Sequence, residues 1–206
     1  MDTRIHLITP RIAEPASFRT KLEAALQASK ADSVHLRFAA TEDADIRRFL
    51  LPLAPVVQEA GAALLIDAPA DLREVARWGV DGVHVWTPEG IAAALEALKP
   101  ERIVGVGGLR SRDAAMTAGD DGCDYVMFGE PRADGSLPPL EQVVERCQWW
   151  AQLFNTPCIG YASEPEAVPA IAATGVEFVA LGEWAFEGEA EVIYQRISQL
   201  KATLAA

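Results

Sequence analysis

The chain is poor in cysteine, histidine and positive charge. Cysteine occurs three times in 206 residues, at Cys123, Cys147 and Cys158. That odd number, without C-x-x-C spacing, excludes a disulfide framework and fits a reducing compartment. The three histidines form no H-x-x-H or H-E-x-x-H pair and no Cys/His cluster, so no zinc site is expected. Lys and Arg number 18 against 30 Asp and Glu, for a net charge of -12. A nucleic-acid binder needs a basic face, and an anionic membrane surface asks for the same; neither partner is expected. No apolar run approaches the roughly 18 residues of a membrane span, and the opening MDTRIHLITPRIAEP lacks a signal-peptide core. A soluble cytoplasmic protein is expected. Its acidic surface favours solubility and names neither a protein partner nor an oligomeric state.

What is present is a core. Half of the residues are hydrophobic and 23% are charged, which excludes a disordered chain. Eight short apolar runs recur: Ile5–Ile8, Ser33–Phe38, Ala63–Ile66, Gly82–Trp86, Ile103–Val106, Tyr125–Phe128, Pro157–Tyr161 and Phe178–Leu181. They read as continuous rather than alternating, the pattern of parallel strands buried on both faces. Helical stretches separate them. In the clearest, over 140–154, Leu140, Val143, Val144, Cys147, Ala151 and Phe154 form one apolar stripe.

Boundary signals agree. Thr87-Pro88 reads as an N-cap followed by a first-turn proline, and Ser163-Glu164-Pro165-Glu166 as a capping box. A connector repeats as Gly79-Val80-Asp81, Gly122-Cys123-Asp124 and Gly175-Val176-Glu177, where glycine suits the left-handed end of a helix. Repeated βα units predict a single (β/α)8 barrel over residues 1–206, with a doubly wound open sheet as the alternative.

In such a barrel, chemistry sits at the C-terminal strand ends. The run Gly107-Gly108-Leu109-Arg110 follows a strand and suits backbone contact with a phosphate; a plain tight turn is the other reading. His35 and His84 lie within strands, as ligand groups or as hydrogen-bonded core residues. Asp67 and Glu89 supply carboxylates for Mg²⁺, while Asp67 equally suits a cap for a helix near Pro69. Trp86, Tyr161 and Trp184 either line a pocket for a flat ring or fill the barrel mouth. Trp149-Trp150 reads as helix packing. No G-x-S-x-G elbow or Cys/His pair points to covalent catalysis.

The strand motifs resemble those of the thiamine-phosphate synthase and thiazole tautomerase family along nearly the whole chain. Ile5-His6-Leu7-Ile8-Thr9 is similar to the family's opening YLIT, Asp81-Gly82-Val83-His84-Val85 to DGVHL, and Ile103-Val104-Gly105-Val106 to IGVS. Asp124-Tyr125-Val126-Met127-Phe128-Gly129 looks like DYVxFGP, and the last two strands fall where PVVAIGG and VAVVS stand. The resemblance implies the barrel and an enzyme that joins a pyrimidine diphosphate to a thiazole phosphate, releasing pyrophosphate with Mg²⁺.

Mapped residue by residue, the resemblance thins. The family's Gln-x-Arg-x-Lys falls on His35, Arg37 and Ala39, its metal-bearing Gln-Glu-Asp on Thr87-Pro88-Glu89, and its Ser-Thr-His on Gly107-Gly108-Leu109. The loop after the sixth strand becomes Glu130-Pro131-Arg132, the Gly-Gly turn becomes Ala162-Ser163, and a serine becomes Glu183. The resemblance thus implies substrate contacts at His35, Arg37, Gly107, Gly108, Arg110, Glu130, Ser163 and Glu183, and metal ligation by Asp67 and Glu89. Lost lysines and gained carboxylates work against anion binding, which Arg37, Arg110 and Arg132 offset. Three readings follow: a divergent synthase acting on small phosphorylated heterocycles; a degenerate member kept as a small-molecule-binding or regulatory module; or an enzyme using His35, Glu130 or Glu183 as acid and base on a neutral ring.

Overall fold

Each repeated connector is built on two residues. In the computed structural model, which describes residues 4–40, 42–132 and 134–204, Gly79, Gly122 and Gly175 adopt φ of 70°, 93° and 89°, the left-handed turn expected of them. The acidic residue two positions on has a role that the sequence reading missed. Asp81 accepts a hydrogen bond from the Leu64 N–H at 2.7 Å, Asp124 from Val104 at 2.8 Å, and Glu177 from Cys158 at 2.8 Å. Each carboxylate ties the start of its own strand to the strand before it.

The strands are β1 (Arg4–Ile12), β2 (Ser33–Phe38), β3 (Ala63–Asp67), β4 (Gly82–Val85), β5 (Ile103–Val106), β6 (Tyr125–Phe128), β7 (Cys158–Ala162) and β8 (Phe178–Leu181). They pair in parallel and in chain order, and β1 closes on β8. The closed barrel excludes the doubly wound alternative. Only β1 departs much from its expected length: it runs on past Ile8 through a register shift, so that Arg11 pairs with Arg37 at the rim.

The α-helices among the described residues are α1 (Pro15–Ser29), α2 (Asp43–Leu50), α3 (Ala54–Glu59), α4 (Glu74–Trp78), α5 (Ile91–Leu98), α6 (Arg112–Asp120), α7 (Leu140–Leu153), α8 (Ala167–Ala172) and α9 (Ala190–Leu204). None is long and apolar enough to cross a membrane. On α7, Val143, Cys147 and Trp150 are buried; Trp150 donates its indole N–H to the Thr156 carbonyl at 2.7 Å. Thr87 is the N-cap of a 3₁₀ turn, Pro88–Gly90, with the proline in its first turn as expected, though its side chain makes no cap bond. The expected capping box at Ser163 is absent: the N-cap of α8 is Glu166, without a side-chain cap bond. Ser111 does cap α6, accepting from Ala114 N–H at 3.0 Å.

Burial divides into two cores. A large annulus between sheet and helices takes the outward residues, such as Leu36, Leu64, Val104 and Val179. A small cluster fills the barrel: Ile8, Leu65, Tyr125, Met127, Ile159, Tyr161 and Ala180. Alternate strand residues therefore point inward in register, as in other filled barrels. The strands are buried on both faces, as expected, yet the inner face is partly polar: His6, Ser33, His35 and His84 are all buried there.

Candidate active site

The polar interior rises to the mouth as separate hydrogen-bonded sets that meet through ring contacts. At the bottom, His6 Nδ1 lies 2.7 Å from Ser33 Oγ. His84 Nδ1 lies 2.9 Å from the Tyr125 hydroxyl. Higher up, His35 Nε2 lies 2.8 Å from Asp67 Oδ1, and the Trp86 indole N–H donates to the same oxygen at 2.6 Å. The Trp86 ring stacks on His35 at 5.6 Å and meets His84 edge-on at 4.3 Å. Arg37 spans the top: its guanidinium lies 5.1 Å over the Trp86 ring and donates to Glu183 Oε1 at 2.9 Å.

Burial sets the electrostatics. Desolvation, with the charge of His35, drives the His6 pKa down to about 3. Burial likewise holds His84 well below an ordinary imidazole, with His35 adding to the effect. Burial alone would raise the Asp67 carboxyl; the His35 bond and charge, the Trp86 N–H and Arg37 outweigh it and hold Asp67 below the usual carboxylate range. Glu130 goes the other way. Burial raises it, although the Gly108 N–H and the charges of Arg110 and Arg146 pull it back.

The expected site residues divide into groups. His35, Arg37, Asp67 and Glu183 form the connected set just described, and both strand histidines are hydrogen-bonded core groups. The Gly107-Gly108 turn is not an open phosphate cradle. Gly107 N–H donates to Val85 O at 2.8 Å, and Gly108 N–H to Glu130 Oε1 at 2.6 Å; the protein's own carboxyl occupies the place meant for an anion. Gly108 has φ +69°, and a Cβ there would meet the Trp86 carbonyl at 2.1 Å, so the turn requires glycine. Arg110 is exposed beside Glu130, and Ser163 is exposed in the loop after β7.

The expected Mg²⁺ ligands fit the ion poorly. Asp67 Oδ1 already meets His35 and Trp86, and its Oδ2 lies 3.7 Å from the Arg11 guanidinium. Glu89 is exposed on the 3₁₀ turn, and no group of three or more His, Cys, Asp or Glu gathers among the described residues. A hard cation needs several converging oxygens, and here only Asp67 Oδ2 is left without a hydrogen bond. Asp67 is no helix cap either; Asp43 accepts from the Ala70 and Asp71 N–H groups at 3.2 and 3.0 Å. Of the three aromatics, Trp86 lies across the mouth, Tyr161 fills the barrel interior, and Trp184 packs in the outer annulus.

The sequence reading missed His6, Tyr125, Arg11 and Arg146. One signal for Tyr125 was present. Gly105 stands inside a strand, and glycine there often marks a close approach; a Cβ on Gly105 would lie 1.8 Å from Tyr125 Cζ.

Comparison with known proteins agrees with the fold. The family model described as thiamine monophosphate synthase matches residues 5–183. A thiamine-phosphate synthase from Rhodospirillum centenum is 36% identical over 190 residues, 89% of this chain and 90% of that protein. Another, from Hyphomonas neptunium, is 33% identical and covers 90% of this chain and 87% of its own. The thiamine phosphate pyrophosphorylase structure from Pyrococcus furiosus superposes with a TM-score of 0.75 at 19% identity, covering 99% of this chain and 96% of that one. A 3-hexulose-6-phosphate synthase superposes with 0.68 at 16% identity, covering 95% and 99%; at such identities the likeness speaks for the barrel alone. The family model and the two relatives speak for kinship: the chain belongs to the thiamine monophosphate synthase family.

Proposed function

We propose that this protein joins a pyrimidine diphosphate to a thiazole phosphate at the C-terminal mouth of its barrel. The observation that carries the reading is the 36% identity to a thiamine-phosphate synthase across about nine-tenths of both chains. The bond between the pyrimidine methylene carbon and the diphosphate oxygen breaks with its electron pair leaving on pyrophosphate. The thiazole nitrogen supplies the pair for the new C–N bond.

The groups at the mouth suit that demand. Charge grows on the leaving pyrophosphate, and a preorganised cation stabilises it. Arg37 is such a cation: its side chain is 13% exposed and held between Trp86 and Glu183. Arg11 adds a second at the same rim. His35 acts by holding Asp67 and carrying the Trp86 ring rather than by touching a substrate, since it is wholly buried. Ser163 and Glu183 are exposed on the turns after β7 and β8, at the same end of the barrel, and leave a polar rim for the thiazole phosphate.

The test is direct. Purified protein is given both phosphorylated precursors with Mg²⁺ supplied, and thiamine phosphate and pyrophosphate are measured together. Equal amounts of both products are expected, and Arg37→Ala lowers kcat/KM by about a hundredfold or more. No product from the two precursors, with the protein folded, overturns the reading.

A further inference from the structure

The turn that follows β8 is pinned along its length. It starts at Gly182, where a Cβ would lie 2.3 Å from the Tyr161 hydroxyl oxygen, so the backbone packs directly on that side chain. Trp184 donates its indole N–H to the Ala162 carbonyl at 2.9 Å, tying the turn to the end of β7. Phe186 meets the Phe18 ring of α1 at 5.3 Å. Arg196 reaches in from α9. Its Nη1 donates to the Trp184 carbonyl at 2.8 Å and to the Glu187 carbonyl at 2.9 Å, so it fastens two points of the turn to the last helix.

From Gly182 to Phe186 every residue is buried except Glu183. That side chain, 52% exposed, accepts from Arg37 Nη1 on β2 at 2.9 Å. An exposed ion pair normally contributes little, because ordering two long side chains offsets most of the attraction. Here both partners are ordered by other contacts. The Arg37 guanidinium lies 5.1 Å over the Trp86 ring with its Nε buried, and Glu183 stands on a fixed backbone. The pair therefore has a defined geometry, which a preorganised cation requires.

We propose that Arg196 is a positioning residue for the barrel mouth: by fixing the turn after β8 it sets Glu183, and through Glu183 the guanidinium of Arg37. It acts through main-chain carbonyls and touches no substrate. Its effect on rate rests on the transferase reading; the clamp itself does not.

Two measurements on the intact chain test the clamp. In isotope-labelled protein the Arg37 Nε–H is followed by NMR. Its exchange with solvent is slow in the parent chain and about tenfold faster in Arg196→Met. Glu183→Gln speeds it as much, and the double variant no further. Unchanged exchange in Arg196→Met overturns the clamp, whether or not the chain makes thiamine phosphate. The second measurement is the rate with both precursors. Arg196→Met lowers kcat/KM about fivefold, mostly through kcat, yet by less than about twofold in the Glu183→Gln background. An equal loss in both backgrounds shows that Arg196 serves stability in general, and overturns the proposal. If the parent chain makes no thiamine phosphate, the transferase reading falls and the exchange result alone decides the clamp. Circular dichroism checks folding; should Arg196→Met not fold, Arg196→Lys keeps a cation for one carbonyl and gives a smaller change of the same pattern.

Discussion

Asp67 Oδ1 meets two groups at once, His35 Nε2 at 2.8 Å and the Trp86 indole N–H at 2.6 Å. One carboxylate oxygen therefore joins a barrel-interior imidazole to the aromatic ring lying across the mouth. The position that the sequence offered to Mg²⁺ instead organises the protein's own polar groups.

Replacing that carboxylate tests its role. Asp67→Ala leaves His35 and Trp86 without their partner and is expected to cost about 3 kcal/mol in urea unfolding. Asp67→Asn keeps an acceptor oxygen for Trp86 and costs less. Equal stability of Asp67→Ala and the parent chain would show that the network is not structural.

Burial of His6 and His84 makes the fold sensitive to acid. An unfolded histidine takes up its proton near pH 6.5, whereas His6 in the fold does so only at about 3. Between those values the unfolded chain binds more protons, so stability falls as pH falls. From pH 7 to pH 5, His6 alone is expected to remove about 2 kcal/mol. Denaturant midpoints measured across this range should show the slope, and His6→Gln should flatten it; an unchanged slope in that variant contradicts the assignment.

Gly105 and Tyr125 form a steric pair. A Cβ on residue 105 would sit 1.8 Å from the Tyr125 ring, and the ring is enclosed within the barrel. Gly105→Ala is expected to cost roughly 3 kcal/mol. Tyr125→Phe gives no relief, because the clash is with ring carbons, but Tyr125→Leu does. The double variant Gly105→Ala, Tyr125→Leu should therefore be more stable than the two single losses add up to. Simple additivity in thermal melts would refute the contact.

The three cysteines are free, buried and inert. Cys123, Cys147 and Cys158 have no disulfide, and burial pushes the Cys123 thiol up to about 12. A thiol-specific reagent at pH 8 should label none of them in the native protein and all three after unfolding. Rapid labelling of one cysteine under native conditions would contradict its burial.

Much of the architecture was legible locally. The runs at Ser33–Phe38, Ile103–Val106, Tyr125–Phe128 and Phe178–Leu181 are strands with the bounds that their apolar residues suggested. Gly79, Gly122 and Gly175 turn as left-handed glycines do. These features depend on near neighbours in the chain, through side-chain burial and backbone φ. The family motifs belong to the same class, because each lies within one strand and its connector.

The site was legible only as a set of candidates. The sequence by itself determined which residues stand at strand ends, and so brought His35, Arg37, Asp67 and Glu183 into view. Which of them meet was decided by barrel closure: Arg37 and Glu183 are 146 positions apart and form an ion pair because β8 returns to β1 beside β2. Pairing of neighbouring strands gave Asp67 to His35 and Trp86, and filled the glycine turn with Glu130. Hydrogen-bond partners are chosen over distances of about 3 Å, and only the tertiary fold brings remote strand ends that close.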